Sequence, residues 1–322
     1  MKKALITGIN GQDGSYLAEL LLEKGYEVHG ILKRNSVAEN QTARLDDIFK
    51  EINLEYADML DLASLNRVLQ QVKPDEIYNL AAQSHVRISF DQPIYTTQVV
   101  AIGTLNILES MKLLCPNSRF YQASSSEMFG NSFDNDGFQR ETTPMNPTSP
   151  YGCAKVYGYN ITRNYRHSYN LFASNGILFN HESPRRGSNF VTNKVAKEAV
   201  RIKYGLTDKL LLGNLDATRD WGHAKDYVNC MWLILQQDTP DDFVCATGIS
   251  HSVRELCEYV FGKLDLDYKD YVGVDQKYMR PEELTDLKGD SSKARLVLDW
   301  VHGYTFETML DEMVEHWDIV YG

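Results

Sequence analysis

A chain of 322 residues, 43% apolar and 24% charged, has enough material for a sizeable core in one large or two coupled domains. Its net charge of −11 argues against nucleic acid or an anionic membrane as the main partner, although arginines gathered locally can still bind an anionic substrate. No apolar run approaches the ~18 residues of a membrane span, and the opening M-K-K-A-L-I-T-G leaves no room for a signal peptide, so a cytoplasmic protein is expected.

The first apolar run, 3–7, predicts a strand, and a helix is expected over 12–24. Between them Gly8, Gly11 and Gly14 form a G-x-x-G-x-x-G turn. Such a turn lets the backbone approach a pyrophosphate and points a helix N-terminus at it. A second strand over 26–32 ends in K-R-N-S. An acidic residue there would favour NAD, whereas Lys33, Arg34 and Ser36 suit the 2′-phosphate of NADP. A short strand over 54–58 places Asp58 to accept from an adenine amino group, and a helix begins near Asp61. After a strand over 76–81, the segment L-A-A-Q-S (Leu80 to Ser84) passes beside the ribose and phosphates. A long helix over 93–114 and a strand over 119–123 follow.

That strand runs into S-S-S-E-M-F-G, and the next helix, 150–169, opens with S-P-Y-G-C-A-K. Tyr151 and Lys155 share a helix face, so the Lys155 charge can lower the pKa of Tyr151 and make a phenolate. A phenolate can take the proton of a substrate alcohol as hydride leaves for a nicotinamide. An ordinary amphipathic helix would show the same spacing, and the glycine turn upstream tells against that reading. Ser125 can bind the substrate hydroxyl with Tyr151. Glu127 is a proton-transfer group that simple alcohol oxidation does not need, unless it only caps a turn. Together these residues point to internal redox chemistry on a sugar.

A strand over 172–178 completes a strand–helix alternation, which implies an α/β fold with a doubly wound parallel sheet of Rossmann type. Beyond about residue 180 the pattern loosens into loops and short helices, read as a smaller C-terminal α/β substrate-binding domain. Its loops carry Asn180, His181, Arg185, Arg186, Arg219 and Arg280, and guanidinium forks suit a diphosphate. The five cysteines are odd in number and lack C-x-x-C, so unpaired thiols are expected and no metal site.

The stretches G-I-N-G-Q-D-G-S-Y-L-A-E, N-L-A-A-Q-S-H-V, N-G-I-L-F-N-H-E-S-P-R-R-G and L-G-N-L-D-A-T-R-D-W-G-H-A-K-D-Y-V closely resemble the GDP-mannose 4,6-dehydratase family of extended short-chain dehydrogenases/reductases. The resemblance implies tightly held NADP, a lyase reaction that converts GDP-mannose to GDP-4-keto-6-deoxymannose, and a homodimer or homotetramer. It assigns catalysis to Ser125, Glu127, Tyr151 and Lys155. It assigns NADP to Gly8, Gly11, Asp13, Gly14, Arg34, Ser36, Asp58, Ala82, Ser84, Tyr95, Lys155, His181 and Arg186. The nucleotide sugar falls to Asn180, Lys194, Arg219, Arg280 and Glu283. Residues 1–179 would then mainly bind NADP, with sheet elements returning near 210–247, and 180–322 would mainly bind the nucleotide sugar, the two parts interleaved. This chain has Ser125, Lys33, Asn160 and Asn193 where the family has Thr, Arg, Trp and Arg. A dehydratase of a related GDP-hexose or GDP-heptose, a nucleotide-sugar 4-epimerase and a 4-keto reductase are the alternatives, and Glu127 counts against the last two.

Overall fold

The computed structural model describes residues 1–34, 41–279, 282 and 284–322. Strand β1 (Lys3–Thr7) sends Ala4 and Ile6 to one face and Leu5 to the other, so both faces of its sheet must be covered. Helix α1 (Gln12–Glu23) leads to β2 (Glu27–Leu32) and β3 (Asn53–Tyr56). Helix α2 (Leu62–Val72) starts where the Asp61 carboxylate accepts from the Ala63 amide at 3.1 Å, and it precedes β4 (Glu76–Asn79).

The long helix expected over 93–114 is less regular than its pattern implied. After α3 (Val86–Asp91), it comprises α4 (Pro93–Thr97), a wider turn over Gln98–Ile102, and α5 (Gly103–Leu114). Strand β5 (Arg119–Ser125) then leads to α6 (Pro150–Tyr169). The Ser149 hydroxyl accepts from the Gly152 amide, Pro150 takes the first helical position, and Asn170 closes the helix with a φ of 53°. Strand β6 (Ala173–Leu178) follows.

The later chain is more helical than expected. It runs β7 (Asn180–Glu182), α7 (Val191–Lys203), β8 (Leu210–Leu212), β9 (Thr218–His223), α8 (Ala224–Gln236), β10 (Asp242–Cys245), β11 (Ser250–Ser252), α9 (Val253–Gly262), α10 (Tyr268–Tyr271), β12 (Val272–Val274), α11 (Ser292–Leu298) and α12 (Phe306–Tyr321). The spread arginines and loop motifs hid these helices, because their apolar faces are met by residues distant in sequence.

Seven parallel strands form the main sheet in the order β3-β2-β1-β4-β5-β6-β10. This is the doubly wound α/β architecture anticipated above, with the order reversing beside β1. Leu17 and Leu21 of α1 and Met231 and Ile234 of α8 cover one face. Leu65 and Val68 of α2 and Ile107 and Leu108 of α5 cover the other. A second core gathers Val195 and Ala199 of α7, Leu256 and Val260 of α9, and Met309 and Met313 of α12. Strands β7, β9 and β11 form a small mixed sheet beneath it, and β8 pairs with β12.

Buried polar side chains fix the carboxyl ends of the central strands. Thr7 donates to Asn79 at 2.8 Å and accepts from the Leu80 and Ala81 amides, and Asn79 donates to Gln122 at 2.8 Å. Cys115, Cys153 and Cys257 are free, and Cys230 of α8 and Cys245 of β10 meet sulfur to sulfur, with Cα atoms 7.1 Å apart. Helix α8 packs over β10, which brings these two buried residues together although neither sits in a recognisable pair motif. Among the described residues no helix is long and apolar enough to cross a membrane.

Candidate active site

The carboxyl ends of β1, β4, β5 and β6 open into one cavity of about 1630 Å³. That is larger than the roughly 300–1,000 Å³ of a single-ligand pocket and has room for two extended ligands. Gly8 begins the wall, with a φ of +70° that side chains rarely adopt, and a Cβ there would lie 3.0 Å from Ala81 Cα. A Cβ on Gly14 would lie 2.3 Å from the Gly8 carbonyl oxygen. The turn therefore requires glycine at both positions, and the N-terminus of α1 faces the cavity beside Gly11 and Asp13.

Asp13 is tied across the cavity floor to His181. The Nε2–Oδ2 distance is 2.8 Å, His181 Nδ1 donates to the Phe179 carbonyl at 2.7 Å, and the ring stacks on Tyr227. Burial works against the Asp13 charge, but the His181 charge and hydrogen bond outweigh it and hold the carboxyl at about 2. Burial likewise opposes the His181 charge, and Asp13 overrides it, so the imidazole titrates above its ordinary value.

At the far end of this arm the two expected cations separate. Arg34 is exposed and lines the cavity. Lys33 is already engaged: its ammonium lies 3.1 Å from Asp58 Oδ2 and donates to the Tyr95 hydroxyl at 3.0 Å. Asp58 also accepts from the Leu60 amide through Oδ1. Arg44, which the sequence did not single out, donates to the carbonyls of Asn10 and Arg185 and lines the same arm. Ala82 and Ser84 line it too, and Ser36 lies outside the described residues.

The four residues expected to react meet at the end of β5. Ser125 accepts from the Glu127 amide at 3.3 Å, so Ser125 is the capping side chain of this turn and Glu127 is not. Glu127 is 6% exposed and lines the cavity with Ser125, Tyr151 and Lys155. Burial pushes the Tyr151 phenol well above its ordinary value; the hydrogen bond with Ser125 pulls it down, the Glu127 charge pushes it up, and the Arg186 charge pulls it down, and burial prevails. Lys155 stands one helical turn along α6 from Tyr151. Its ammonium donates to the Ala123 carbonyl at 2.5 Å and lies 5.6 Å from the Tyr151 ring centre. Burial draws its pKa to about 8, so it remains mostly charged at neutral pH.

Across from this cluster, Asn180 of β7, Lys194 of α7 and Arg219 of β9 line the opposite wall. Arg219 donates to the carbonyls of Thr218 and Leu284, and Lys194 lies 3.7 Å above the Tyr278 ring. Arg280 and Glu283 lie outside the described residues. Arg185 does not join its neighbour Arg186 at the cavity; it reaches Ser15 and Glu19 and covers the Tyr16 ring. His85 and Phe190, whose rings lie 5.1 Å apart, are cavity residues that the sequence reading missed. The signal for His85 was its place directly after the cofactor segment.

The model of the GDP-mannose 4,6 dehydratase family matches residues 5–313. GDP-mannose 4,6 dehydratase 2 of Arabidopsis thaliana is 52% identical over 326 residues, covering 98% of this chain and 86% of that protein. The Homo sapiens GDP-mannose 4,6 dehydratase is 50% identical over 343 residues, covering 98% and 91%. Among solved structures, the UDP-glucose 4-epimerase of Thermotoga maritima with UDP-glucose superposes with a TM-score of 0.87 at 22% identity, covering 99% of this chain and 100% of that one. DesIV, a dTDP-glucose 4,6-dehydratase of Streptomyces venezuelae with NAD and TYD bound, gives 0.85 at 23% identity, covering 98% and 96%. These two likenesses are of fold.

Proposed function

The chain belongs to the GDP-mannose 4,6 dehydratase family, and we propose that Ser125, Glu127, Tyr151 and Lys155 carry that family's reaction here. The reaction converts GDP-mannose to GDP-4-keto-6-deoxymannose with loss of water. The glycine turn, the N-terminus of α1 and the exposed Arg34 fit NADP, since a turn that admits no Cβ at Gly8 or Gly14 stays tight and leaves the N-terminus of α1 facing the cavity where a pyrophosphate would lie. Held there, NADP would supply the hydride chemistry, with hydride taken from C4 and given back at C6.

The protein's part is proton handling and orientation. Tyr151, hydrogen-bonded to Ser125, takes the C4 hydroxyl proton, and Ser125 holds that oxygen in place. Lys155 keeps a positive charge beneath the site, fixed by the Ala123 carbonyl. Glu127 removes the C5 proton, made acidic by the 4-keto group, and passes it to the departing C6 hydroxyl, so one water leaves and the carboxylate is restored; when hydride is added at C6, C5 takes a proton that comes from solvent through the active-site acid groups. The observation that carries this reading is a nine-tenths-buried Glu127 lining one cavity with the Ser125–Tyr151 pair while Ser125, and not Glu127, caps the local turn.

Asn180, Lys194 and Arg219, with Arg280 and Glu283, hold the nucleotide diphosphate and sugar in this proposal. Gly8, Gly11, Asp13, Gly14, Arg34, Ser36, Asp58, Ala82, Ser84, Tyr95, His181 and Arg186 serve NADP directly or by shaping its arm. The Rossmann part (1–179 with returning elements) takes NADP and 180–322 mainly takes the nucleotide sugar. A homodimer or homotetramer in the cytoplasm belongs to the same proposal, and light scattering after gel filtration tests the assembly. The assigned roles are tested with GDP-mannose and NADP-loaded variants. Glu127→Gln stalls after oxidation, so absorbance of the reduced cofactor accumulates, whereas Tyr151→Phe shows none. Product formation by Glu127→Gln at the unmodified rate contradicts the assignment.

A further inference from the structure

Glu182 ends β7 at 2% exposure, and no step above uses it. Its Oε2 accepts from the Thr192 hydroxyl at the start of α7 at 2.5 Å. The same oxygen lies 3.1 Å from Arg186 Nε, an ion pair whose angle is too poor for a directed hydrogen bond. Arg186 is held on three further sides. Its amide donates to the Ser183 carbonyl at 3.0 Å, its carbonyl accepts from Asn193 at 2.5 Å, and its guanidinium lies 3.7 Å above the Phe190 ring. Its inner nitrogen is thus turned to Glu182, while the side chain lines the reaction cavity.

We propose that Glu182 is a positioning residue for the dehydration: it holds the Arg186 side chain by its inner nitrogen and so fixes the outer guanidinium edge at the Tyr151 end of the cavity. Buried carboxylates demand partners, and this one has a hydroxyl on one side and a guanidinium on the other. The Arg186 charge acts on three groups of the site. It favours the phenolate form of Tyr151 and the carboxylate form of Asp13, and it opposes the charge on His181. An arginine free to swing would lose part of that effect, because the interaction of charges falls with distance.

The groups that face Tyr151 set the sign of the test. They are Lys155 on its own helix, Glu127 in the turn after β5, Asp13 of α1 and Arg186. From the segments that pack on α6 it meets Val86, Ser89, Val100 and Ala101, none of which titrates. The titratable Tyr95 of α4 is engaged by Lys33, and Glu109 of α5 by Tyr165 and Lys112.

This proposal rests on the reading of Tyr151 as the base. The experiment is the pH dependence of kcat/KM for GDP-mannose with NADP-loaded protein, in Glu182→Ala, Glu182→Gln, Thr192→Val, Arg186→Lys and Tyr151→Phe. Loss of Glu182 should move the acidic limb up by roughly half to one pH unit, with KM within about twofold and activity regained at high pH. Arg186→Lys should move it the same way, Thr192→Val by less, and Glu182→Gln should recover most of the shift. If Glu182 acted through its own charge, its removal would move the limb down, which overturns the proposal. An unmoved limb with only lowered stability or a uniformly lowered rate also overturns it, and Thr192→Val, close in volume, gives that answer if Glu182→Ala does not fold. A limb that persists in Tyr151→Phe overturns the reading of the base and this proposal together; one that depends on Tyr151 yet ignores both Glu182 and Thr192 overturns this proposal alone.

Discussion

In the proposed mechanism Glu127 separates dehydration from the alcohol oxidation assigned to Tyr151 and Lys155. Glu127→Gln should lower water elimination by about a hundredfold or more, while calorimetry shows NADP affinity within about twofold of the unmodified protein. Arg34→Ala should weaken NADP by about tenfold and leave NAD unchanged, as expected for a cation that meets only the 2′-phosphate. Equal loss for both cofactors contradicts that placement. Asp13 gives a pH prediction. Its folded value, about 2, lies below the ordinary 3.8, so its contribution is present above pH 3.8 and is lost as pH falls toward 2. Asp13→Asn should therefore lower the urea midpoint at pH 7, by an equivalent of about 1–3 kcal/mol, and flatten the decline between pH 4 and 3. The residues proposed to react could be picked out because their chemistry would be written in short local motifs, and the structure gathers Ser125, Glu127, Tyr151 and Lys155 on one cavity. The engagement of Lys33 by Asp58 and Tyr95, and the turning away of Arg185 toward Glu19, were not legible, because those partners are distant in sequence.

Turns and caps made the first half of the chain readable as elements. The glycine turn lies between an apolar strand and an amphipathic helix, and Ser149-Pro150 announces α6 at the residue where it begins. Gly14→Ala tests the turn: its Cβ would sit 2.3 Å from the Gly8 carbonyl, so the backbone must open. We expect an unfolding free energy lower by about 1–3 kcal/mol and a cofactor affinity reduced more than tenfold. An alanine variant that binds NADP normally would show that the close approach is not required. Helices α7, α9 and α12 were underestimated because their apolar faces meet one another across long stretches of intervening sequence. The wider turn before α5 left no sequence signal, since Gln98–Ile102 reads as ordinary helix.

The chain crosses between its two cores repeatedly, which joins them into one molecule. It leaves the main sheet at β7, returns with α8 and β10, leaves again through α9 and comes back at α11. Thermal unfolding of the protein freed of cofactor should therefore show one transition, with NADP raising its midpoint in proportion to the logarithm of its concentration. Two separated transitions would mean that the cores are independent. An interleaved division was implied by the family resemblance alone, and the Cys230–Cys245 contact had no signal in the sequence, because it depends on how α8 lies over β10. The central claim is that one cavity performs oxidation, water loss and reduction on GDP-mannose with no net redox change. The most direct measurement incubates the NADP-loaded protein with GDP-mannose in deuterated water, without added reductant, and follows the product by mass spectrometry and NMR. The account predicts loss of one water and deuterium at C5. An unchanged sugar, an epimer, or a product that forms only when reductant is supplied would contradict it.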